Sequence, residues 1–475
     1  MVSLFLDDDY YPKDDSLARV EKISRLSGID NIAVLPEVHY KKTYPAPTGV
    51  VFISKNTIMP QLIAMVINCG MRIIATPIKA KEVSDKIIDK IYSNLMHEIR
   101  ITQPSNYVLD GNTVLDIMFK GSRWALERFG LEESELDFIE NKGNMFHSES
   151  LSRDEVKYAV PEPATKVGRF GLQYMGGGGH FIELQKVREI YNKEIAGLLN
   201  LEEGGLIFML HSDSGLVGGM VNQFFSYNRL KEAPLTSRLK LGIRKWQYHL
   251  SDPASFFSIA HIYDKVFKKA DVVGFDADST LGRRYKIASY AACNFGYVKR
   301  MALTESLRKS VRNAFGDPGM RLPLIYDVSH NLIQQQEFES EKYWVHRHGC
   351  CAALPPSKMS AHPIFSGTGQ PFPLPGSMAT PSYVCVGAEG SKASFYSSCH
   401  GSGNVTGPIE GDVTAEAIMK ELNRKNVRLY KHGKVNLVKH SPRKFKDAGI
   451  VAKTLENFNI AKIVAKVEPM AVIKE

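Results

Sequence analysis

The sequence predicts one large domain of the mixed α/β class (α+β mixed), with mixed sheets and surrounding helices. Hydrophobic residues make up 44% of the 475 residues and charged residues 23%, which is typical of a globular chain with a large core. Segments with helical and with strand periodicity are interleaved along the whole chain. No long low-complexity stretch and no repeat of solenoid length divides it.

Helices are predicted where apolar residues recur with a period near 3.6, and strands where β-branched and aromatic residues cluster between Gly or Pro. In chain order, we expect strands near 31–35, 48–54 and 71–76, followed by helices near 83–98, 112–129 and 186–200. A strand near 205–211 and helices near 255–270 and 284–315 come next. The remaining predicted strands lie near 323–329, 343–348, 382–387 and 394–399.

Charge and cysteine usage restrict the class of protein. The net charge of +9 favours anionic partners, and the segment 420–446 has ten basic residues and one acidic residue. Such a run forms either a solvated face or a nucleic-acid contact. The six cysteines include no CxxC pair, the N-terminus does not resemble a secretory signal, and no apolar run is long enough to span a bilayer. We therefore expect a cytoplasmic protein that makes no membrane contact.

The most informative motif is SSCHGSGN, which places His400 at the end of a predicted strand and before two glycines. Glycines at such a position let a phosphate approach the backbone closely. A neutral imidazole there can act as a nucleophile, although a histidine in this setting more often caps a turn. The chain has neither the KxDG motif of lysine nucleotidyl transferases nor a GxxxxGK[ST] phosphate loop.

Four further residues are potential metal ligands at predicted strand ends or tight turns. They are Cys69 in VINCGM, His180 in GGGGHFIE, His211 in LHSDSG and His330 in YDVSHN. Imidazole nitrogens with one thiolate suit Zn, Fe, Co or Mn, and the sequence alone does not choose between them. A single histidine of this kind is more often a hydrogen-bonded residue of a cleft or core.

Together with PFPLPGSM, which ends at Met378, these motifs resemble the RtcB family of GTP-dependent RNA ligases. The resemblance runs in the family's order from about residue 31 to Lys474. It implies one catalytic domain over 1–475 with a deep metal and nucleotide cleft. Within it, 1–30 is a divergent N-terminal segment, 132–152 an irregular, insertion-like segment and 420–446 a basic segment.

By this resemblance, Cys69, His211 and His330 hold one Mn²⁺ ion, whereas Cys69 and His180 hold a second. The family also has an aspartate three residues before the cysteine, and here that residue is Val66. We therefore expect one firm site and a second that is weak or absent. The residues considered as substitutes for the missing carboxylate are Asn68, Glu37 and His39.

The resemblance makes His400 the residue that GTP guanylates. Glu183 would accept hydrogen bonds from guanine N1 and N2, while Lys474 would donate to O6. The implied GTP and GMP pocket comprises Gly179, His180, Phe181, Glu183, His330, Asn331, Pro375, Gly376, Ser377, Met378, Ser382, Gly401, Ser402, Gly403 and Lys474.

The residues implied for RNA binding are Glu37 and His39 in PEVH, and His346 and Arg347 in HRHGCCAA. Several positions depart from the family pattern where phosphates or RNA ends are expected. Two lysine or arginine positions are lost within HRHGCCAA, and each charge-assisted phosphate contact is worth roughly 1.5–3 kcal/mol. The departures are Gly179 for asparagine, Asp213 for glycine with loss of a nearby arginine, His348 for lysine, Ala352 for arginine and Phe445 for tyrosine.

The resemblance predicts a metal-dependent ligase that joins RNA 3′-phosphate or 2′,3′-cyclic phosphate ends to 5′-hydroxyl ends. The expected intermediates are GMP-histidine and RNA-3′-pp-5′-G. The departures leave two alternatives: guanylylation or end-capping without sealing, and a paralogue that binds RNA ends without catalysis.

Overall fold

The computed structural model describes residues 1–41, 44–99, 108–225, 235–251, 272–409, 411, 413–431 and 436–474. Over these residues the chain forms a mixed α/β structure with several sheets. The described α-helices are Ser16–Ser24, Asp85–Glu98, Gly111–Lys120, Ser122–Phe129, Arg153–Ala159, Glu162–Gly168, Lys193–Leu198, Leu216–Phe225, Leu235–Leu250, Thr280–Phe315, Ala415–Arg424 and Ala448–Asn457.

The largest sheet is antiparallel along its main path. Its order is Pro371–Leu374, Ser382–Gly387, Ala461–Lys474, Phe181–Ile190, Gly205–Ser212, Gly70–Lys79 and Leu324–Ser329. The short strand Arg428–Lys431 pairs in parallel with the end of Ala461–Lys474.

A second sheet has the order Val2–Leu4, Asn31–His39, Thr48–Ser54, Glu341–His348 and Asn331–Phe338. Two small ladders join Cys350–Ala352 to Ser397–Cys399 and Thr57–Ile58 to Phe275–Asp276. His330 is the single residue between a strand of the first sheet and a strand of the second, so it lies where the two sheets meet.

The helix Thr280–Phe315 is buried over most of its length, and it packs against Asp85–Glu98 and Gly111–Lys120. The Ser279 hydroxyl caps its first turn by accepting from the Gly282 N–H at 3.1 Å, and Gly316 ends it with a φ of 70°. The apolar residues of this helix belong to the main hydrophobic core under the sheet. Arg300, in the second half of this helix, donates to the Asn68 carbonyl at 3.0 Å, so this part of the helix lies beside the start of the strand Gly70–Lys79.

The mixed fold class predicted from the sequence is confirmed, and most predicted elements lie within a few residues of observed ones. The prediction for 186–200 was wrong, because Lys186 to Ile190 continue the strand Phe181–Ile190 and only Lys193–Leu198 is helical. This strand is paired on both sides, with Ala461–Lys474 and Gly205–Ser212, and that pairing overrides local helix preference.

Two other predicted elements differ in extent. The helix predicted at 112–129 is broken at Gly121, whose φ is 57°. The strand near 394–399 shortens to Ser397–Cys399 because Phe395 and Tyr396 have left-handed backbones, with φ of 56° and 51°. The predicted helix near 255–270 lies outside the described residues. The strands Asn331–Phe338 and Ala461–Lys474 were not predicted.

Candidate active site

The four potential metal ligands converge because their strands are neighbours in the large sheet. His180 precedes Phe181–Ile190 and Cys69 precedes Gly70–Lys79, while His211 lies near the end of Gly205–Ser212 and His330 follows Leu324–Ser329. Adjacent strands run antiparallel, so two strand starts and two strand ends meet at one edge of the sheet.

The ligand atoms of these residues face one another at short distances. Cys69 Sγ lies 3.0 Å from His211 Nε2 and 3.4 Å from His180 Nε2. The Nε2 atoms of His211 and His330 are 3.2 Å apart. Among the described residues, the set with all ligand atoms within 4.8 Å of one another is Cys69, His211 and His330.

Burial decides the protonation of this cluster. Burial raises the pKa of the Cys69 thiol well above its usual value, and the nearby Asp213 carboxylate raises it further. Burial lowers the pKa of both His211 and His330 well below the usual value. Neutral imidazoles are the ligating form, whereas the thiol needs a cation to become a thiolate. A borderline divalent cation fits this donor set.

A buried ion network holds the turn that carries Cys69. Arg300 Nε and Arg72 Nε donate to the two Asp327 carboxylate oxygens at 2.8 Å and 2.7 Å. Arg300 Nη1 also donates to the Asn68 carbonyl at 3.0 Å, and Asn68 has a φ of 53°. The network therefore fixes the backbone immediately before the cysteine.

His400 is held in one orientation. Its backbone N–H donates to Glu37 Oε1 at 2.8 Å, and its Nδ1 lies 2.5 Å from the Gly349 carbonyl oxygen. Nδ1 is also 2.6 Å from Glu37 Oε2, a fully buried carboxylate. Since carbonyl and carboxylate oxygens accept hydrogen bonds, the proton belongs on Nδ1 and the lone pair on Nε2. The His400 and His330 ring centroids are 4.4 Å apart, which places the potential nucleophile beside the metal-ligand cluster.

Gly349 makes this orientation sterically feasible. Its φ is 64°, and a Cβ there would lie 2.3 Å from Thr48 Cγ2 and 3.2 Å from His400 Cε1. The strand Asn31–His39, which carries Glu37, is also fixed. Lys446 Nζ donates to the carbonyls of Pro36 and Val38 in this strand at 2.8 Å and 3.0 Å. These contacts hold Glu37 against His400.

A cavity of about 300 Å³ opens beside His400. Most residues of the expected nucleotide pocket line it: Gly179, Phe181, Glu183, Pro375, Gly376, Ser377, Met378, Ser382, His400, Gly401, Ser402, Gly403 and Lys474. The other lining residues are His39, Lys41, Thr48, Gly178, His211, Asn404, Lys439, His440 and Phe445. Of these, Lys41, Thr48, Gly178, Asn404 and His440 were not predicted as site residues, although Lys439 and His440 lie within the basic segment 420–446.

Three residues expected in the pocket do not line the cavity but lie next to residues that do. His180 and His330 are among the metal-ligand cluster, and the Asn331 side chain accepts from the Gly349 N–H at 2.8 Å. Asn331 therefore supports the carbonyl that orients His400.

Glu183 and Lys474 lie on neighbouring strands at one end of the cavity, because Lys474 pairs with Phe181 and Val472 pairs with Glu183. Burial raises the pKa of Glu183 and lowers the pKa of Lys474, while each opposes the shift of the other through its charge. Lys474 Nζ donates to the Gly179 carbonyl at 3.2 Å and lies 5.1 Å from the Phe181 ring centre. The Glu183 carboxylate, a hydrogen-bond acceptor, and the Lys474 ammonium, a hydrogen-bond donor, thus both face the cavity.

The residues expected to bind RNA are separated in the structure. His39 lines the cavity and Glu37 contacts His400, whereas His346 and Arg347 are fully buried. His346 Nε2 accepts from the Met59 N–H at 3.0 Å, and Arg347 Nε donates to Ser397 Oγ at 2.9 Å. These two side chains stabilise the strands around the site, and their contact with RNA stays a prediction.

Comparisons with known proteins show the family of this chain. The family model described as tRNA-splicing ligase RtcB matches residues 19–475. A tRNA-splicing ligase RtcB of Thermococcus kodakarensis is 29% identical over 99% of this chain and 94% of its own length. One from Aeropyrum pernix is 27% identical over 97% of this chain and 92% of its own length.

A tRNA-splicing ligase RtcB of Pyrococcus furiosus is 30% identical over 86% of this chain, and the match covers 40% of its length. The family model itself covers nearly the whole chain. The chain therefore belongs to the tRNA-splicing ligase RtcB family.

Proposed function

We propose that this protein is a GTP- and Mn²⁺-dependent RNA ligase that joins RNA 3′-phosphate or 2′,3′-cyclic phosphate ends to 5′-hydroxyl ends. The observation that carries the proposal is the orientation of His400, whose Nδ1 faces the Gly349 carbonyl and the Glu37 carboxylate beside a cavity of about 300 Å³. The six free cysteines agree with action in the reducing cytoplasm. Among the described residues, no helix is long and apolar enough to cross a membrane.

In the first step, His400 Nε2 attacks the α-phosphorus of GTP, a P–N bond forms and the bond to pyrophosphate breaks. The Nδ1 proton stays on the ring, stabilised by Glu37 as positive charge develops on the imidazole. Glu183 and Lys474 hold the guanine edge. Cys69, His211 and His330 would hold the firm Mn²⁺ site, which supplies positive charge near the phosphates, and a second ion would bind more weakly through Cys69 and His180.

In the second step, an RNA 3′-phosphate oxygen attacks the phosphorus of the GMP-histidine. The P–N bond breaks and RNA-3′-pp-5′-G forms. A cyclic phosphate end must first be opened by water to a 3′-phosphate. Finally the 5′-hydroxyl attacks the 3′-phosphorus and GMP leaves, so the sealed phosphodiester retains the phosphate of the RNA end.

The test combines adduct formation with RNA sealing. The protein incubated with α-labelled GTP and Mn²⁺ should retain label on a denaturing gel, and the label should be acid-labile and alkali-stable, as a phosphoramidate is. His400→Ala should lose the label, while circular dichroism remains unchanged. Label that persists in His400→Ala would disprove the nucleophile.

The same preparation should seal RNA with 3′-phosphate and 5′-hydroxyl ends. Capped RNA without a sealed product would instead support the second candidate, end-capping without ligation. That candidate is favoured by the loss of two cationic positions at His348 and Ala352, both of which are buried. RNA binding without any adduct would support the non-catalytic alternative.

A further inference from the structure

A buried carboxylate, Asp213, lies near His180 in the turn next to the one that carries Val66. Asp213 follows the strand Gly205–Ser212, and its Oδ2 lies 3.6 Å from His180 Nε2. His180 Nε2 is in turn 3.4 Å from Cys69 Sγ. Thus a thiol and a carboxylate both lie within reach of the same imidazole nitrogen.

The turn that carries Asp213 is attached directly to the turn that carries Val66. The Ser214 hydroxyl donates to the carbonyl of Ile67, and a Cβ on Gly218 would lie 2.8 Å from the Ile67 nitrogen. A side chain from the Asp213 turn can therefore enter the region that a residue at position 66 borders.

The substitutes considered from the sequence are engaged elsewhere. The Asn68 amide donates to the Cys293 carbonyl at 2.6 Å and its oxygen accepts from Ser329 Oγ at 2.8 Å. Glu37 contacts His400, and His39 Nδ1 lies 2.9 Å from the Glu37 carbonyl. None of these contacts directs a side chain toward His180.

Asp213 is held close to His180 through contacts of its other carboxylate oxygen. Its Oδ1 accepts from Lys299 Nζ at 3.0 Å and from the Gly215 N–H at 2.7 Å. A carboxylate has two oxygens and about four lone-pair sites, so Oδ2 can bind a cation while Oδ1 keeps Lys299.

We propose that Asp213 is a ligand of the second cation site, together with Cys69 and His180, and replaces the carboxylate that Val66 lacks. This assignment rests on the proposed function only in that the cleft binds divalent cations. Among the described residues, these three do not have all their ligand atoms within 4.8 Å of one another, so their side chains must move closer together to share a cation. The Lys299 ammonium competes for the carboxylate, which makes this site weaker than the one formed by Cys69, His211 and His330.

The test is a Mn²⁺ titration of chelator-treated protein without GTP or RNA, followed by equilibrium dialysis and elemental mass spectrometry. The unmodified protein should bind one tight ion and a second weaker ion, and low-temperature electron paramagnetic resonance should show exchange between neighbouring Mn²⁺ ions. Asp213→Asn should lower the affinity of the second ion by at least about tenfold, the lower end of what outer-shell changes cost metal sites. The double variant Val66→Asp with Asp213→Asn should recover it.

Glu149→Gln is the matched control, because Glu149 also pairs with a lysine, at 2.9 Å from Lys286, away from the cluster. It should leave both ions unchanged. Lys299→Met is a second variant that tests the proposal independently if Asp213→Asn fails to fold. It should raise the affinity for the second Mn²⁺ ion, because it removes the ammonium group that competes for the Asp213 carboxylate.

A second ion that is indifferent to Asp213→Asn would overturn the assignment, as would one tight ion with no second ion in the unmodified protein. In the latter case the Asp213–Lys299 ion pair would have replaced the second cation. Loss of the GMP adduct with the titration as expected would overturn the proposed function alone, and an intact adduct with an unexpected titration would overturn only the Asp213 assignment.

Discussion

The Nδ1 atom of His400 lies 2.5 Å from the carbonyl oxygen of Gly349. A carbonyl cannot donate a hydrogen bond, so this contact selects the tautomer with the proton on Nδ1. The buried Glu37 carboxylate at 2.6 Å reinforces the same tautomer and stabilises the ring when it becomes positively charged. The backbone and carboxylate contacts therefore hold His400, the proposed nucleophile, in this tautomer.

Glu37→Gln should slow formation of the GMP adduct by about 10- to 100-fold, in the range found when a carboxylate that orients a functional histidine is lost. The amide keeps the size of the side chain and can still accept from the His400 N–H, but it removes the negative charge. Single-turnover labelling with GTP measures the rate, and metal content should be unchanged. A rate equal to that of the unmodified protein would show that the Gly349 carbonyl orients His400 alone.

Guanine selectivity should depend on Glu183 and Lys474. Glu183→Gln should slow labelling by GTP and reduce the preference for GTP over ATP. The reason is that the glutamine NH2 group can place a hydrogen-bond donor against the N1 and N2 donors of guanine. Lys474→Ala should weaken GTP use without changing metal content. Competition labelling with both nucleotides measures the ratio of GMP adduct to AMP adduct. Equal labelling by ATP in the unmodified protein would contradict this account of the pocket.

GTP binding should also weaken as the pH falls from neutral to mildly acidic values. Burial raises the pKa of Glu183, so its ionised form is lost at a higher pH than for an exposed carboxyl. The ionised form accepts from guanine N1 and N2, and affinity is therefore present above the pKa and lost below it. Fluorescent GTP titrations across pH measure this change, and in Glu183→Gln the acidic loss should disappear.

Replacement of Cys69, whose Sγ lies 3.0 Å from His211 Nε2, should abolish binding at the proposed firm Mn²⁺ site. Cys69→Ala should reduce tightly bound Mn²⁺ from close to one ion per chain to a small residual fraction, since the remaining imidazoles offer too few ligands. Elemental analysis after dialysis without chelator measures the content. Retention of one tight ion would show that the thiol does not bind the firm site.

The buried ion network around Asp327 should be important for stability. Asp327→Ala leaves the Arg72 and Arg300 guanidinium groups without their shared carboxylate and should cost about 3–5 kcal/mol of unfolding free energy. Urea unfolding followed by circular dichroism measures the loss. Glu341→Ala removes an exposed ion pair with Lys55 and should leave the unfolding transition unchanged. Similar transitions in both variants would show that the network does not stabilise the fold.

The sequence by itself determined the mixed class and the positions of about half of the described strands, whereas the pocket residues were implied by the resemblance to the RtcB family. Local patterns were sufficient for the ends of several strands, because SSCHGSGN and GGGGHFIE mark strand boundaries with glycine and histidine close together. Periodicity failed at 186–200, since a central strand is stabilised by its two neighbours more than by its own preferences.

Only the tertiary structure decided which of these residues lie together. It placed four potential metal ligands from four strands at one sheet edge, put Asn331 behind Gly349, and buried His346 and Arg347 away from the cavity. It also brought Asp213 within 3.6 Å of His180, whereas from the sequence Asp213 was only a departure from the family pattern. The physical reason is that strand pairing sets which distant side chains share an edge, and no local pattern contains that pairing.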